Sequence, residues 1–88
     1  MTFKEENKIY IEDESGKEVA RIIFEESDGI ITITHTIVDD SMSGKGIAGQ
    51  LLDKVVEKAR RENKKIVPVC SYAVKKLNDN EKYVDVLK

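Results

Sequence analysis

The sequence has few of the residues that make covalent crosslinks or metal sites. Its 88 residues include one cysteine, one histidine, one proline and no tryptophan. A single thiol cannot form an internal disulfide, so folding does not require an oxidising compartment. One histidine and one cysteine provide no cluster of metal ligands, and we therefore expect no metal site.

Long apolar runs and an excess of basic residues are also missing. Charged side chains at Lys4, Glu5 and Glu6 interrupt the start of the chain. This predicts neither a signal peptide nor a membrane span, and the cytoplasm is the expected location. The formal net charge of −2 and the pI near 5.4 argue against a nucleic-acid-binding protein. The one dense basic run, Lys58 to Lys65, is interpreted as a solvated helix end, with a phosphate contact as the alternative.

The residues that are present are typical of one small globular domain. Hydrophobic residues make up 40% of the chain and charged residues 36%. A chain of this length supports a single core, so residues 1–88 are predicted to form one domain. We expect it to be a monomer or a weak dimer.

The first half of the chain predicts three antiparallel strands. Residues 8–12 alternate apolar and polar side chains, residues 18–26 are rich in β-branched residues, and residues 30–38 alternate isoleucine and threonine. Turn signals with Gly16 and with Gly29 separate the three segments. Strict alternation in the third strand would put His35 on the same face as Ile31 and Ile33.

The second half changes to a helical period. Apolar residues recur every three or four positions from Gly44 to about Asn63, which predicts one long amphipathic helix. Residues 65–69 are too short for a helix and predict a strand beside the meander, with Pro68 indicating an edge, a bulge or a splay. One or two short helices are expected after it. The predicted fold class is therefore α+β, a three-stranded antiparallel meander followed by a long helix and a further strand.

Three glycines at the start of the long helix raise the question of a phosphate ligand. Gly44, Gly46 and Gly49 have the spacing G-x-G-x-x-G, which is the dinucleotide fingerprint of Rossmann folds. In that fold the glycines directly follow a buried parallel strand, whereas here five mostly polar residues intervene and the preceding strands form a meander. A Walker motif is also absent. What remains is a glycine loop and a helix N-terminus, which together favour pyrophosphate, or a loop whose glycines merely shape a tight turn.

The residues from Val38 to Leu52 resemble the acetyl-CoA loop of the GNAT superfamily of N-acetyltransferases. That loop has Gln or Arg, a glycine three residues later, and Gly or Ala two residues after the glycine. Ser43, Gly46 and Ala48 occupy these positions, so the first departs from the pattern and the other two match. The segments HTIV, GKGIA and PVCSY also resemble, in order and spacing, the small stand-alone acetyltransferase-like proteins of the YjdJ type.

The resemblance implies a truncated GNAT core that binds acetyl-CoA or CoA. The end of the third strand would pair with the pantetheine arm, with the Val38 amide directed at the thioester carbonyl. The strand that contains Pro68 would splay from the meander beside the thioester. The implied cofactor-binding residues are Ile37, Val38, Ser43, Gly44, Lys45, Gly46, Ile47, Ala48, Gly49 and Tyr72.

The sequence supplies two candidate catalytic residues, His35 and Cys70. His35 is either a general base or a partly buried structural histidine. Cys70 precedes a predicted helix that begins near Ser71, and a helix N-terminus favours the thiolate. It could accept the acetyl group covalently, or it could pack only against the pantetheine. Tyr72 and Tyr83 could protonate the departing thiolate or anchor their helices.

Two functions follow from these expectations. One is the transfer of acetyl from acetyl-CoA to an amine of a protein, peptide or small molecule. The other is a CoA-binding module with little or no catalysis, which is favoured by Ile37 because related proteins frequently have a glutamate there. Neither nucleic acid nor membrane is an expected partner, and the amine acceptor is not identified.

Overall fold

The computed structural model describes residues 2–6, 8–42, 44 and 46–88, and it contains one mixed sheet with helices packed on one face. The four antiparallel strands are β1 (Thr2–Glu5), β2 (Lys8–Glu12), β3 (Glu18–Ser27) and β4 (Ile30–Val38). The remaining elements are a 3-10 turn (Asp40–Met42), helix α1 (Ile47–Glu62), strand β5 (Lys65–Pro68), helix α2 (Ser71–Asn78) and a second 3-10 turn (Glu81–Tyr83).

The predicted fold class and order of elements are confirmed, with one strand added. The meander has four strands rather than three, because β1 pairs with β2 at the edge of the sheet. Its four residues include two charged side chains, Lys4 and Glu5, and a short charged edge strand has no alternation long enough to detect. Strand β5 lies beside β4 and runs parallel to it, as expected of a strand that follows a crossover helix.

The turns have the backbone that their residues favour. Asp28 and Gly29 both have positive φ, which gives the β3–β4 hairpin a two-residue turn that matches the twist of the strands. Helix α1 ends at Glu62, and the residue that caps it, Asn63, has a φ of 56°, in the left-handed region. The predicted helix end is therefore confirmed.

The core lies between one face of the sheet and the helices. Alternate residues of β2, β3 and β4 point into it, and α1 contributes the apolar stripe predicted from its period. The fully buried side chains of the stripe are Leu51, Leu52, Val55, Val56 and Ala59. Helices α1 and α2 both pack on this core face of the sheet. On the other face, Ile23 is partly exposed, and His35 and Ile37 are exposed.

Ion pairs inside the domain use most of the basic run at the end of α1. Lys58 is buried and contacts Glu5, Glu26 and Glu62, which join α1 to β1 and β3. Arg60 makes a two-pronged contact with Asp85 near the end of the chain. This run therefore links elements of the fold and is not simply a solvated helix end. No helix of the described residues is long and apolar enough to cross a membrane.

Candidate functional site

A β-bulge in β4 reverses which side chains face the helices. Ile23 pairs with His35 and the next residue of β3, Phe24, pairs with Ile33, so Thr34 has no partner across the ladder. The Thr34 hydroxyl donates to the Ile23 carbonyl at 3.2 Å. An extra residue inverts the alternation beyond it. The prediction that His35 shares a face with Ile31 and Ile33 is therefore wrong, because His35 is exposed on the opposite face and Thr36 turns toward the helices.

Strands β4 and β5 separate just after the bulge begins. Their parallel pairing ends at Ile33 and Pro68, whereas β4 continues to Val38. Proline has no backbone N–H, so it cannot extend the ladder by donation. Beyond it, the amides of Val69 and Cys70 both donate to the Ile33 carbonyl, at 2.9 and 3.2 Å. The predicted splay is confirmed, and it leaves the last residues of β4 without a partner strand on the β5 side.

The loop after β4 needs glycine for its backbone conformation. Gly44 has φ of 80° and Gly46 has φ of 71°, both in the left-handed region. A Cβ built on either residue meets no atom within 4 Å, so the conformation rather than the available space requires glycine.

The N-terminus of α1 has backbone donors that lack a partner within the helix. Its N-cap is Gly46, whose lack of a side chain leaves no side-chain cap, and the first turn contains no acidic residue. The Gln50 amide donates to the Gly46 carbonyl at 3.1 Å as the first bond of the helix. The amides of Ile47, Ala48 and Gly49 precede that bond and have no partner within the helix. With the helix dipole, they favour an anion at this position.

The loop and helix N-terminus form one wall of an open groove of about 390 Å³. The groove brings together seven of the ten predicted cofactor-binding residues, and Asp40 and Met42 complete the lining. The seven are Val38, Gly44, Gly46, Ile47, Ala48, Gly49 and Tyr72. Ile37 does not line it, because its side chain is 38% exposed on the other face of the sheet. The predicted residues Ser43 and Lys45 lie outside the described part of the chain.

Sequence reasoning missed Asp40 and Met42, although a local signal was present. The Asp39 carboxylate accepts hydrogen bonds from the backbone amide and hydroxyl of Ser41, both at 3.1 Å. These bonds, together with Lys17, lower the pKa of Asp39. An aspartate two residues before a serine is typical of such a turn, and here it begins the 3-10 segment that carries both residues into the groove.

Cys70 lies at the point where β5 leaves the sheet. It is the N-cap of α2, and its Sγ accepts from the Ala73 amide at 3.4 Å. The same Sγ lies 3.4 Å from the Thr36 hydroxyl, across the splay. The predicted helix start at Ser71 is confirmed. Thr36 was not predicted, because the bulge that turns it toward Cys70 depends on the pairing of β4 with β3.

Cys70 and the groove both lie against strand β4. Thr36 contacts Cys70 and Val38 lines the groove, two residues further along the same face of β4. This spacing corresponds to about 7 Å along a strand. A ligand anchored at the glycine loop and extended along β4 would therefore reach the thiol.

Tyr72 and Tyr83 have different surroundings. The Tyr72 hydroxyl lies 3.6 Å from the position that a Cβ on Gly49 would occupy, so it bridges α2 to the first turn of α1 beside the groove. Burial raises the pKa of Tyr72. The Tyr83 hydroxyl instead donates to Asp53 on α1 at 2.7 Å. Tyr83 therefore anchors the end of the chain, one of the two roles open to it from sequence.

Comparison with known proteins identifies the family of this chain. A family model described as GCN5-related N-acetyl-transferase matches residues 8–86. The chain belongs to this family of GCN5-related N-acetyltransferases. Comparison with curated proteins gave no match. This confirms the resemblance to GNAT acetyltransferases that was based on the glycine loop and on the HTIV and PVCSY segments.

Solved structures agree with the family assignment. A GCN5-like N-acetyltransferase candidate from Staphylococcus aureus, solved by NMR, is 39% identical, with a TM-score of 0.82; the match covers 99% of this chain and 87% of that one. A GNAT family N-acetyltransferase from Escherichia coli, in complex with CoA, is 15% identical, with a TM-score of 0.68 and coverage of 88% and 44%. A GNAT family acetyltransferase from Elizabethkingia anophelis, with acetyl-CoA bound, is 22% identical, with a TM-score of 0.63 and coverage of 86% and 51%. The chain spans about half the length of these last two proteins, which show the shared fold alone.

Proposed function

We propose that this chain binds acetyl-CoA in the groove and transfers the acetyl group to an amine. The observation that carries the proposal is that the groove, through Val38, and Cys70, through Thr36, both lie against the same face of β4. The pyrophosphate would accept hydrogen bonds from the first amides of α1, which have no partner within the helix. The pantetheine arm would follow the unpaired end of β4, where backbone groups released by the splay can bond to it. Relatives of the same fold from E. coli and E. anophelis hold CoA and acetyl-CoA, which supports the cofactor class.

Cys70 is the nucleophile in this proposal. Its thiolate attacks the acetyl carbonyl carbon, the new C–S bond forms, and the bond to the CoA sulfur breaks so that CoA leaves as a thiolate. A neutral amine then attacks the S-acetyl carbon, loses a proton, and releases the Cys70 thiolate. The CoA thiolate would take its proton from solvent through the open groove, because the Tyr72 hydroxyl lies beside Gly49 at the proposed pyrophosphate position.

His35 would act on the acceptor side. Its ring is exposed on the open face of the sheet, where its Nδ1 lies 3.1 Å from the Thr34 hydroxyl, so an incoming amine can reach it from solvent. A neutral imidazole there could take the proton of an incoming ammonium or of the attacking amine. An open face suits an amine on a protein or peptide better than a small molecule, because it encloses nothing.

The binding half of the proposal is tested by titration with CoA, followed by NMR. Shifts are expected at Val38 and at the glycines of the loop. The substitution Gly46→Glu should abolish binding, because it puts a carboxylate against the phosphates and strains the left-handed backbone. The matched control is Gly16→Glu, which has the same charge and a similar φ of 87° in a distant hairpin. Binding of NAD in place of CoA would contradict the proposal.

The catalytic half is tested by intact mass spectrometry after brief exposure to acetyl-CoA. A gain of about 42 Da, one acetyl group, is expected on the wild-type chain and not on Cys70→Ser. Serine keeps the helix cap, so the variant stays folded. CoA release with a panel of amines then measures turnover. Tight CoA binding with neither adduct nor release would favour the second candidate, a CoA-binding module, for which Ile37 in place of a carboxylate is the supporting observation.

A further inference from the structure

A second cavity continues from the groove along α2. It has a volume of about 370 Å³ and is lined by Tyr72, Lys75, Lys76, Asp79 and Asn80. Tyr72 lines both spaces, so they share a wall. The first four residues are spaced i, i+3, i+4 and i+7, which puts them on one side of the helix. The cavity therefore lies next to the proposed pyrophosphate position.

The two lysines of this cavity differ from most others in the chain. Neither Lys75 nor Lys76 forms an ion pair with any residue that the structure describes. Six other lysines are paired with carboxylates: Lys4, Lys8, Lys17, Lys54, Lys58 and Lys64. Two adjacent ammonium groups that make no ion pair within the described residues give this cavity a net positive charge, even with Asp79 in its lining, and so favour an anion.

We propose that Lys75 and Lys76 bind the 3′-phosphate of the CoA nucleotide. This inference rests on the proposed function, because it assumes that the pyrophosphate occupies the glycine loop. A phosphate monoester carries about −1.5 to −2 charges at neutral pH. The partial positive charge at the first turn of α1 would be used by the pyrophosphate, so the separate 3′-phosphate needs cations of its own. Lys75 and Lys76 line the cavity beside the groove, and Tyr72 borders both spaces.

Asp79 limits the affinity of this site. Its carboxylate lies in the same cavity and repels a phosphate. The residue caps α2 through its backbone amide, which donates to the Lys75 carbonyl at 3.1 Å, and the side chain takes no part in that bond. Removing its charge should therefore strengthen phosphate binding without loss of the helix end.

The test compares the dissociation constants of CoA and 3′-dephospho-CoA by calorimetry. The wild-type chain should prefer CoA by about tenfold, the value of one charge-assisted contact. The variant Lys75→Gln/Lys76→Gln should bind both ligands equally, at the affinity that the wild type has for dephospho-CoA. The control Lys4→Gln/Lys54→Gln changes net charge by the same amount on a remote surface and should keep the preference. Asp79→Asn should bind CoA more tightly and dephospho-CoA as before.

The outcomes separate this inference from the proposed function. Equal binding of both ligands by the wild type would overturn the phosphate site and leave the cofactor groove intact. Retention of the preference by Lys75→Gln/Lys76→Gln, or its loss in the control variant, would also overturn the site. If the wild type binds neither ligand, the proposed function fails together with the inference.

Discussion

Two substitutions of glycine by alanine, three residues apart, should change stability in opposite directions. Gly46 has a φ of 71°, whereas Gly49 lies inside α1 with no positive φ. A side chain in the left-handed region costs about 1–2 kcal/mol. Part of that cost is offset because alanine restricts the unfolded chain. We expect Gly46→Ala to lower the free energy of unfolding by about 1 kcal/mol.

Gly49→Ala should instead raise the free energy of unfolding. Glycine in a helix is less favourable than alanine by about 0.5–1 kcal/mol, and the lower figure applies in a first turn. The new methyl group would lie 3.6 Å from the Tyr72 hydroxyl, an ordinary contact that adds no strain. The two variants should therefore differ by about 1.5 kcal/mol, or roughly 6–12 °C in Tm for a chain of this size.

Thermal unfolding followed by circular dichroism measures both effects. A useful control is Gly46→Asn, since asparagine tolerates the left-handed region and should lose less stability than Gly46→Ala. Equal Tm values for Gly46→Ala and Gly49→Ala would refute the assigned loop backbone. CoA affinity adds a second readout, because Gly49 lines the groove. Gly49→Ala should bind CoA more weakly although it is the more stable protein.

Three further predictions concern individual side chains. His35→Ala should lower kcat far more than it changes KM in an acetyl-transfer assay, because a general base acts in the transition state; unchanged turnover would assign His35 a structural role. Thr36→Val should slow alkylation of Cys70 by iodoacetamide by roughly three- to tenfold, because it removes the hydroxyl that lies 3.4 Å from the sulfur. Thr36→Ser should react at the wild-type rate, and an equal rate for the valine variant would contradict the contact. Hydrogen bonds from Lys64 and Lys58 lower the pKa of Glu62 from 4.5 to about 2. The resulting stability is present above pH 4.5 and is lost as the pH falls toward 2, so urea denaturation of Glu62→Gln should show a weaker pH dependence across that interval.

Local patterns were enough to predict most elements of the fold. Alternation over residues 30–38 and helical spacing from Gly44 onward each extend over many residues, so one substitution does not hide them. Most residues that line the groove could also be predicted from the sequence, because they come from one continuous segment between Val38 and Gly49. Strand β1 was missed because it is short and charged.

Features that depend on pairing between strands could not be predicted in this way. The bulge at Thr34 leaves no mark on the alternation of β4, since isoleucine and threonine continue on either side of it. The contact between Thr36 and Cys70 joins residues 34 positions apart. The neighbouring cavity on α2 likewise requires knowledge of where Tyr72 meets α1.

The bulge also explains how one strand can serve both reactants of the proposed reaction. Without an extra residue, His35 would point toward α1 and Thr36 toward solvent, as strict alternation requires. With it, Thr36 and Val38 face the thiol and the groove, and His35 faces the open side of the sheet. The splay beyond Pro68 removes the partner strand at the same point, so an amine arriving at His35 and a thioester lying along β4 can meet between the strands. Pro68 pairs with Ile33, the residue before the bulged Thr34, so the end of the β5 ladder and the change of face in β4 fall at the same point of the sheet.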